Sequence, residues 1–269
     1  MLESGAMSTR KSAKGAWVVT GAGSGFGREI ARQLASRGHA LSLWDRDAEG
    51  LAETRELLRG ARAHLATVDV KDLEAVRATV RDARAEVGML AHVVHCAGIL
   101  RIGAAVDMSA SDYRALIEVN YLGSVHVALA LADELQQAAS HGGRSNLVLV
   151  SSIAGLRAAP ELAGYSASKF AVLGFAQALR DELSGTGVYV RVLCPPPGDT
   201  PMVRNLPYLP KIYELAPPMS AKVVAARALA ALERDDFVLL VDARSRAYSA
   251  FSRLWPSALD FIVKRATRS

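Results

Sequence analysis

Two side chains four residues apart pose the chemical question. Tyr165 and Lys169 stand at the ends of Tyr165-Ser166-Ala167-Ser168-Lys169, and on a helix that spacing places both on one face. A phenol titrates near about 10 in water. An ammonium group nearby favours the phenolate and lowers that value, which prepares a tyrosine to act as general acid or base. Upstream, Leu147-Val148-Leu149-Val150 reads as a buried strand ending at Ser151-Ser152. The carboxyl end of a strand is where an open α/β sheet places its ligands. Standing alone, the pair would more simply be a surface tyrosine and a solvated lysine, so the elements around it decide.

Those elements alternate. Ala16–Thr20 reads as a first strand, followed by a glycine-rich turn and a helix over 28–36. A second strand over 40–44 is closed by Asp45. A helix over 48–58, a strand over 63–68, an amphipathic helix over 73–87 and a strand over 89–94 follow. A long helix within 111–139, a strand over 146–150, a helix over 162–183 and a strand over 188–193 complete the middle of the chain. After a proline-rich loop over 195–218 come a helix over 221–232 and a seventh strand over 237–241. The strands are apolar runs rather than alternating patterns, as expected when both faces of a sheet are covered. The sequence therefore predicts one α/β domain, a doubly wound parallel seven-stranded sheet of Rossmann type.

The glycine turn carries the second piece of chemistry. Glycines at 21, 23, 25 and 27 lie between a strand and a helix start. Without Cβ atoms the backbone approaches a pyrophosphate closely, and the helix N-terminus attracts its charge. The spacing Gly21-x3-Gly25-x-Gly27 differs from the GxGxxG of other dinucleotide folds. Asp45, eighteen residues beyond Gly27, is placed to accept hydrogen bonds from an adenosine ribose and to repel a 2′-phosphate. It favours NAD(H). Arg46 argues for NADP(H), since arginine forks onto phosphate. Asp45 would serve equally as a cap for the following helix.

With these residues assembled, the chain resembles the classical short-chain dehydrogenase/reductase family over roughly 17–241. Thr20-Gly21-Ala22-Gly23-Ser24-Gly25-Phe26-Gly27 matches that family's TGxxxGxG. Asp69-Val70 matches its adenine-holding pair, and Cys96-Ala97-Gly98 stands where the family has Asn-Ala-Gly. Asn120 matches a helix-embedded asparagine. Ser152, Tyr165 and Lys169 match its catalytic serine, tyrosine and lysine, and Pro195 and Thr200 match the ends of its PGxxxT segment. The resemblance implies a nicotinamide cofactor held by Gly21, Ser24, Gly25, Phe26, Gly27, Asp45, Arg46, Asp69, Val70, Cys96, Ala97, Gly98, Tyr165, Lys169, Pro195 and Thr200. It implies that Tyr165 exchanges a proton with a carbonyl or alcohol oxygen oriented by Ser152. Lys169 then lowers the tyrosine pKa and holds the ribose, while Asn120 supports a proton-relaying water.

Two departures stand out: Cys96 replaces a motif asparagine, and Pro196 replaces the glycine of PGxxxT. Within the family, the stretches around Cys96, Asn120 and Tyr165 and the run Pro195-Pro196-Pro197-Gly198-Asp199-Thr200-Pro201 resemble 3-ketodihydrosphingosine reductases. That likeness implies a bulky apolar ketone as substrate, such as a long-chain sphingoid base. Asp45 departs from their pattern, and a steroid or other hydrophobic alcohol handled with NAD(H) is the rival. A substrate lid is expected over about 199–220, with Met202 and Leu206 against the substrate.

The ends of the chain read differently. Residues 1–14 are expected to be a disordered leader, and 15–243 the catalytic domain. Residues 244–269 form a basic, aromatic-rich extension that interleaves Tyr248, Phe251, Trp255 and Phe261 with Arg244, Arg246, Arg253, Lys264, Arg265 and Arg268. Such a segment suits either packing over the substrate cleft or contact with a lipid surface. The formal net charge of +5 is mild and does not argue for nucleic acid. Two cysteines make no disulfide framework and no metal cluster; a cytoplasmic protein, with peripheral membrane association, is expected. The resemblance implies a homodimer or homotetramer. A non-catalytic nucleotide sensor or scaffold is the alternative of another class, and the complete Ser152-Tyr165-Lys169 set speaks against it.

Overall fold

The computed structural model describes residues 12–268. Seven strands form one sheet: β1 (Ala16–Thr20), β2 (Leu41–Asp45), β3 (Ala63–Thr67), β4 (Leu90–His95), β5 (Ser145–Val150), β6 (Val188–Leu193) and β9 (Val238–Leu239). Their order is β3-β2-β1-β4-β5-β6-β9, and every pairing is parallel. The chain winds outward from β1 in one direction, then from β4 in the other, so a crevice opens at the switch between them. In register, Thr20 lies beside both Trp44 and His95, and Val150 lies beside Leu193. The next residue of each strand or turn, Gly21, Asp45, Cys96, Ser151 and Cys194, therefore stands along one edge of the sheet.

Helices cover both faces. On one side α3 (Leu73–Val87), α5 (Gly123–Ser140) and α6 (Ala163–Glu182) bury Val76, Val80, Val127, Leu131, Leu135 and Val172. On the other, α1 (Gly25–Ser36), α2 (Ala48–Glu56) and α9 (Ala221–Ala231) bury Ile30, Leu34, Leu51, Val224 and Leu229. Each such side chain contributes on the order of 1.5–3 kcal/mol by leaving water. The starts of α2 and α3 are set by Asp47 and Asp72, whose carboxylates accept the Gly50 and Ala75 N–H groups. Gly88, at φ 85°, ends α3. The long helical stretch over 110–140 comprises α4 (Ala110–Leu116), a π-helical turn (Ile117–Leu122) and α5. It is long and apolar enough to cross a membrane by length and composition, although the sequence holds no unbroken apolar run of that length. Part of its apolar surface packs on the sheet through α5, and Ile117, Leu122 and Leu129 are exposed.

Three regions depart from the sequence reading. Residues 1–11 of the expected leader lie outside the described residues, but Ser12 and Ala13 belong to the fold. Ala13 donates its N–H to the Arg144 carbonyl at 3.0 Å and accepts from the His92 ring at 3.0 Å. The proline-rich loop over 195–218 holds a short strand β7 (Gly198–Asp199) and two short helices, α7 (Pro201–Arg204) and α8 (Ile212–Leu215). Strand β8 (Met219–Ser220) pairs with β7. The seventh sheet strand is two residues long because only Val238 and Leu239 find partners on β6. The C-terminal extension forms two helices, α10 (Ala243–Leu254) and α11 (Pro256–Arg268).

Two histidines of β4 are buried, and neither has an acidic partner among the described residues. His92 stacks on Trp17, with ring centroids 4.3 Å apart, and burial pushes its pKa down from 6.5 to about 4. His95 bonds Thr20 Oγ1 at 2.8 Å; burial, then the charge of Lys169, lower it to about 3. Between the unfolded value of 6.5 and these folded values, the unfolded chain binds protons that the folded chain refuses. Stability is therefore complete above pH 6.5 and falls as the pH drops below it, by up to roughly 1.4 kcal/mol per pH unit for each group. Urea midpoints measured on either side of pH 6 are expected to fall more steeply in the unmodified protein than in His92→Gln; parallel slopes would contradict the assignment.

Candidate active site

The glycine turn folds as a cradle. Gly21 has φ +64° and lies so close to β4 that a Cβ there would come 2.7 Å from the Ala97 nitrogen. A Cβ on Gly27 would meet the Gly21 carbonyl oxygen at 2.1 Å. Both positions require glycine. The N-cap of α1, Ser24, uses its side chain for no capping bond, and no acidic residue lies in the first turn, which leaves the helix N–H groups to an anion. Asp45 ties the turn down: its Oδ2 accepts from Gly23 N–H at 2.8 Å and its Oδ1 from Asp47 N–H at 3.0 Å. The capping of α2 falls to Asp47, so Asp45 keeps its place at the crevice. Arg46 beside it is exposed.

One cavity of about 700 Å³ runs along this edge of the sheet. Gly21, Ser24, Gly25, Phe26, Gly27, Asp45, Arg46, Asp69, Val70, Cys96, Ala97, Gly98, Pro195 and Thr200 line it, as do Ser152, Tyr165, Lys169, Met202 and Leu206. The cradle, the helix N-terminus and the Asp45 carboxylate beside them fit a dinucleotide, and the same cavity continues to Tyr165. The Cys96 departure is absorbed locally. Thr20 Oγ1 accepts the Ala97 N–H at 3.1 Å, and Cys96 N–H donates to the Thr20 carbonyl at 3.2 Å. The Cys96 and Cys194 thiols are each pushed up to about 12 by burial, which makes them poor nucleophiles at neutral pH. Pro196 costs no required donor, because this segment is held through carbonyls: Pro195 accepts from Ile153 N–H at 3.1 Å and Pro197 from Met219 N–H at 2.8 Å.

Tyr165 and Lys169 lie one turn apart on α6, at the end of β5. Lys169 Nζ donates to the Val150 carbonyl at 2.9 Å and stands 5.8 Å from the Tyr165 ring centroid. Ser151 Oγ donates to the Lys169 carbonyl at 2.9 Å, closing a second tie between strand and helix. Burial pulls the lysine down to about 8. Tyr165 reverses the sequence expectation. Burial pushes its pKa up, the nearby Tyr213 adds to that, and only the Ser152 hydrogen bond pulls it back. In this geometry Lys169 does not outweigh the loss of water around the phenol, so Tyr165 holds its proton at neutral pH.

Asn120 is fully buried behind the cavity rather than in its wall. Its Oδ1 accepts the Ile99 N–H at 2.8 Å, and its Nδ2 donates to the Ile99 carbonyl at 3.0 Å and to Ser168 Oγ at 2.9 Å. It therefore fixes the Gly98–Ile99 backbone against α6. Ser151, Tyr213, Tyr248 and Arg157 also belong to the site; the sequence reading had Ser151 only as the end of a strand, Tyr213 only within the lid and Tyr248 only within the aromatic extension, and it did not single out Arg157. Ser151 had a signal, its adjacency to Ser152; the other three enter through long-range packing of α6, the lid and the C-terminal helices.

The pattern of the short chain dehydrogenase family matches residues 16–208. The chain is 34% identical over 244 residues to a 1-deoxy-11-beta-hydroxypentalenate dehydrogenase of Streptomyces avermitilis, covering 88% of this chain and 89% of that protein. Among solved structures, a Burkholderia phymatum short chain dehydrogenase/reductase in complex with NAD is 26% identical, with a TM-score of 0.78 over 94% of this chain and 96% of that one. A Burkholderia cenocepacia short chain dehydrogenase in complex with NADP is 25% identical, with a TM-score of 0.79 over 94% and 98%. The glycine cradle, the carboxyl-edge cavity and the tyrosine–lysine turn that borders it thus meet in a member of the short chain dehydrogenase family, an NAD(P)-dependent oxidoreductase.

Proposed function

We propose that this protein transfers a hydride between a nicotinamide cofactor and a bulky apolar ketone or secondary alcohol. The observation that carries this reading is the composition of the cavity beyond Tyr165. Its walls there are Leu100, Ile102, Leu162, Val203, Leu206 and Tyr213, and all six belong to one apolar cluster. An apolar pocket with two convergent hydroxyls suits a hydrophobic carbonyl compound. The motif resemblance to 3-ketodihydrosphingosine reductases read from the sequence suggests a long-chain substrate, and a steroid-like ring system suits the same walls.

A bound nicotinamide would supply or accept the hydride. In the reductive direction the protonated Tyr165 hydroxyl gives its proton to the carbonyl oxygen, and Ser152 hydrogen-bonds and orients that oxygen. The Lys169 ammonium stabilises the phenolate left behind and binds the ribose hydroxyls. Asn120 acts through the backbone it fixes and through Ser168 on the lysine's helix. At the adenosine end, Asp45 supports NAD(H) by facing the ribose and repelling a 2′-phosphate, while Arg46 beside it would favour NADP(H). We take Asp45, the less exposed of the two and already aligned by Gly23, as dominant.

Replacing Tyr165 by Phe is expected to lower turnover by at least about 100-fold, the scale of lost general acid catalysis, while NADH binding followed by fluorescence changes little. Near-normal turnover in that variant would remove Tyr165 from the mechanism and favour a non-catalytic nucleotide-binding role. In the same titration NADH is expected to bind more tightly than NADPH, and the reverse order would return the choice to Arg46.

Two exposed apolar faces support the partners expected from the sequence. Ile117, Leu122, Leu129 and Phe170 lie on the π-helical turn, α5 and α6, and suit a second copy of the chain. Leu254, Trp255, Phe261 and Ile262 stand exposed beside Arg253, Lys264 and Arg265, and suit an acidic lipid surface. Light scattering should give at least a dimer, and Phe261→Ser should reduce sedimentation with phosphatidylserine vesicles. A monomer, or vesicle binding that ignores the substitution, would contradict the respective assignment.

A further inference from the structure

The two ends of the cavity carry opposite charge. The carboxylates that line it, Asp45, Asp47 and Asp69, all belong to the adenosine end, at the tips of β2 and β3. The substrate end is lined by two cations, Arg101 and Arg157, and by no carboxylate among the described residues. Arg101 is half exposed and pairs with Asp112 at 3.4 Å. Arg157 differs. It follows Ser152 by five residues, and its side chain is 18% exposed. One guanidinium nitrogen, Nη2, donates to Asp260 of α11, and the Tyr248 hydroxyl of α10 also faces the group. Nη1 is buried and finds no hydrogen-bond partner among the described residues. Asp260 itself is half exposed and stands outside the cavity lining.

A guanidinium offers five donors in a planar fork. Here its buried Nη1 is left over, and its one carboxylate partner among the described residues, Asp260, is half exposed. That arrangement suits a second carboxylate presented from inside the cavity, since fork-to-carboxylate pairing is strong and directional when desolvated. We propose that Arg157 is the specificity-determining residue of this site, selecting a ketone or alcohol whose apolar skeleton bears a carboxylate remote from the reacting carbon. The ligand carboxylate shares or takes over the guanidinium that Asp260 holds in the free protein. Tyr248 of α10 completes the polar end of the pocket, and α11 backs Arg157 through Asp260. This assignment rests on the redox reading of the site given above.

The test compares two ketones in cofactor-oxidation assays of the full chain: a decalone with a carboxylate on the ring remote from the ketone, and its methyl ester. The unmodified protein is expected to prefer the carboxylate in kcat/KM, the difference lying in KM. Arg157→Gln is expected to lower that preference by roughly tenfold to a hundredfold, the scale of a lost charge-assisted hydrogen bond. Asp260→Asn, which releases Arg157 from its internal partner, is expected to raise it. A purely structural tie between Arg157 and α11 would impair both ketones together in both variants and leave the ratio unmoved; that result, or a preference for the ester, overturns the proposal. Turnover of neither ketone by the unmodified protein would instead count against the redox reading on which it rests.

Discussion

The site depends on how a lysine ammonium is kept inside the protein. Lys169 is 5% exposed, and a charge withdrawn from water is costly unless it is hydrogen-bonded. The Val150 carbonyl at the tip of β5 accepts from it, and Ser151 bonds the lysine's own backbone carbonyl. These two contacts lock the first turns of α6 onto the end of β5. Tyr165, one turn earlier on the same face, is thereby set against Ser152. The pairing of strand tip and helix start is thus one constraint with two results, an anchored cation and an aligned pair of hydroxyls.

The surrounding structure preserves that geometry from three directions. From below, the π-helical turn over 117–122 carries Asn120, whose amide clamps Ile99 and Ser168 together. A π-turn displaces one residue from the helical ladder and is often found at functional sites; here it lies where α6 and the loop after β4 need a common partner. From the side, Gly21 and Gly27 let the first turn lie against Ala97 and against itself. From above, Phe26 packs on Gly198, where a Cβ would come 2.3 Å from its ring, which joins the glycine turn to the lid segment.

Much of this was legible in the sequence, for physical reasons. Strands buried on both faces leave unbroken apolar runs, so β1 and β6 were bounded correctly; the amphipathic stripe bounded α3, and most other ends fall within a few residues. The meeting of Ser152, Tyr165 and Lys169 at one cavity was legible because they are close in sequence and sit on elements that the apolar pattern places. Short elements stabilised by tertiary contact were not legible: α7 and α8 are four residues each, within a proline-rich stretch. The expected direction of the Tyr165 shift failed because spacing gives the position of Lys169 but not the burial that outweighs it. Arg157 gave no local signal, since its meaning comes from Asp260, 103 residues later, on α11.

The central claim is that a buried, protonated Lys169 supports proton donation by Tyr165. Its pKa, brought down from 10.5 to about 8 by burial, leaves the ammonium charged below that pH and neutral above it. The most direct measurement is the pH dependence of kcat/KM for ketone reduction across the neutral and alkaline range. The account predicts a plateau at lower pH and a decline that sets in near pH 8 as Lys169 loses its proton. A rate that stays level well into the alkaline range, or one that rises through it, would contradict the account.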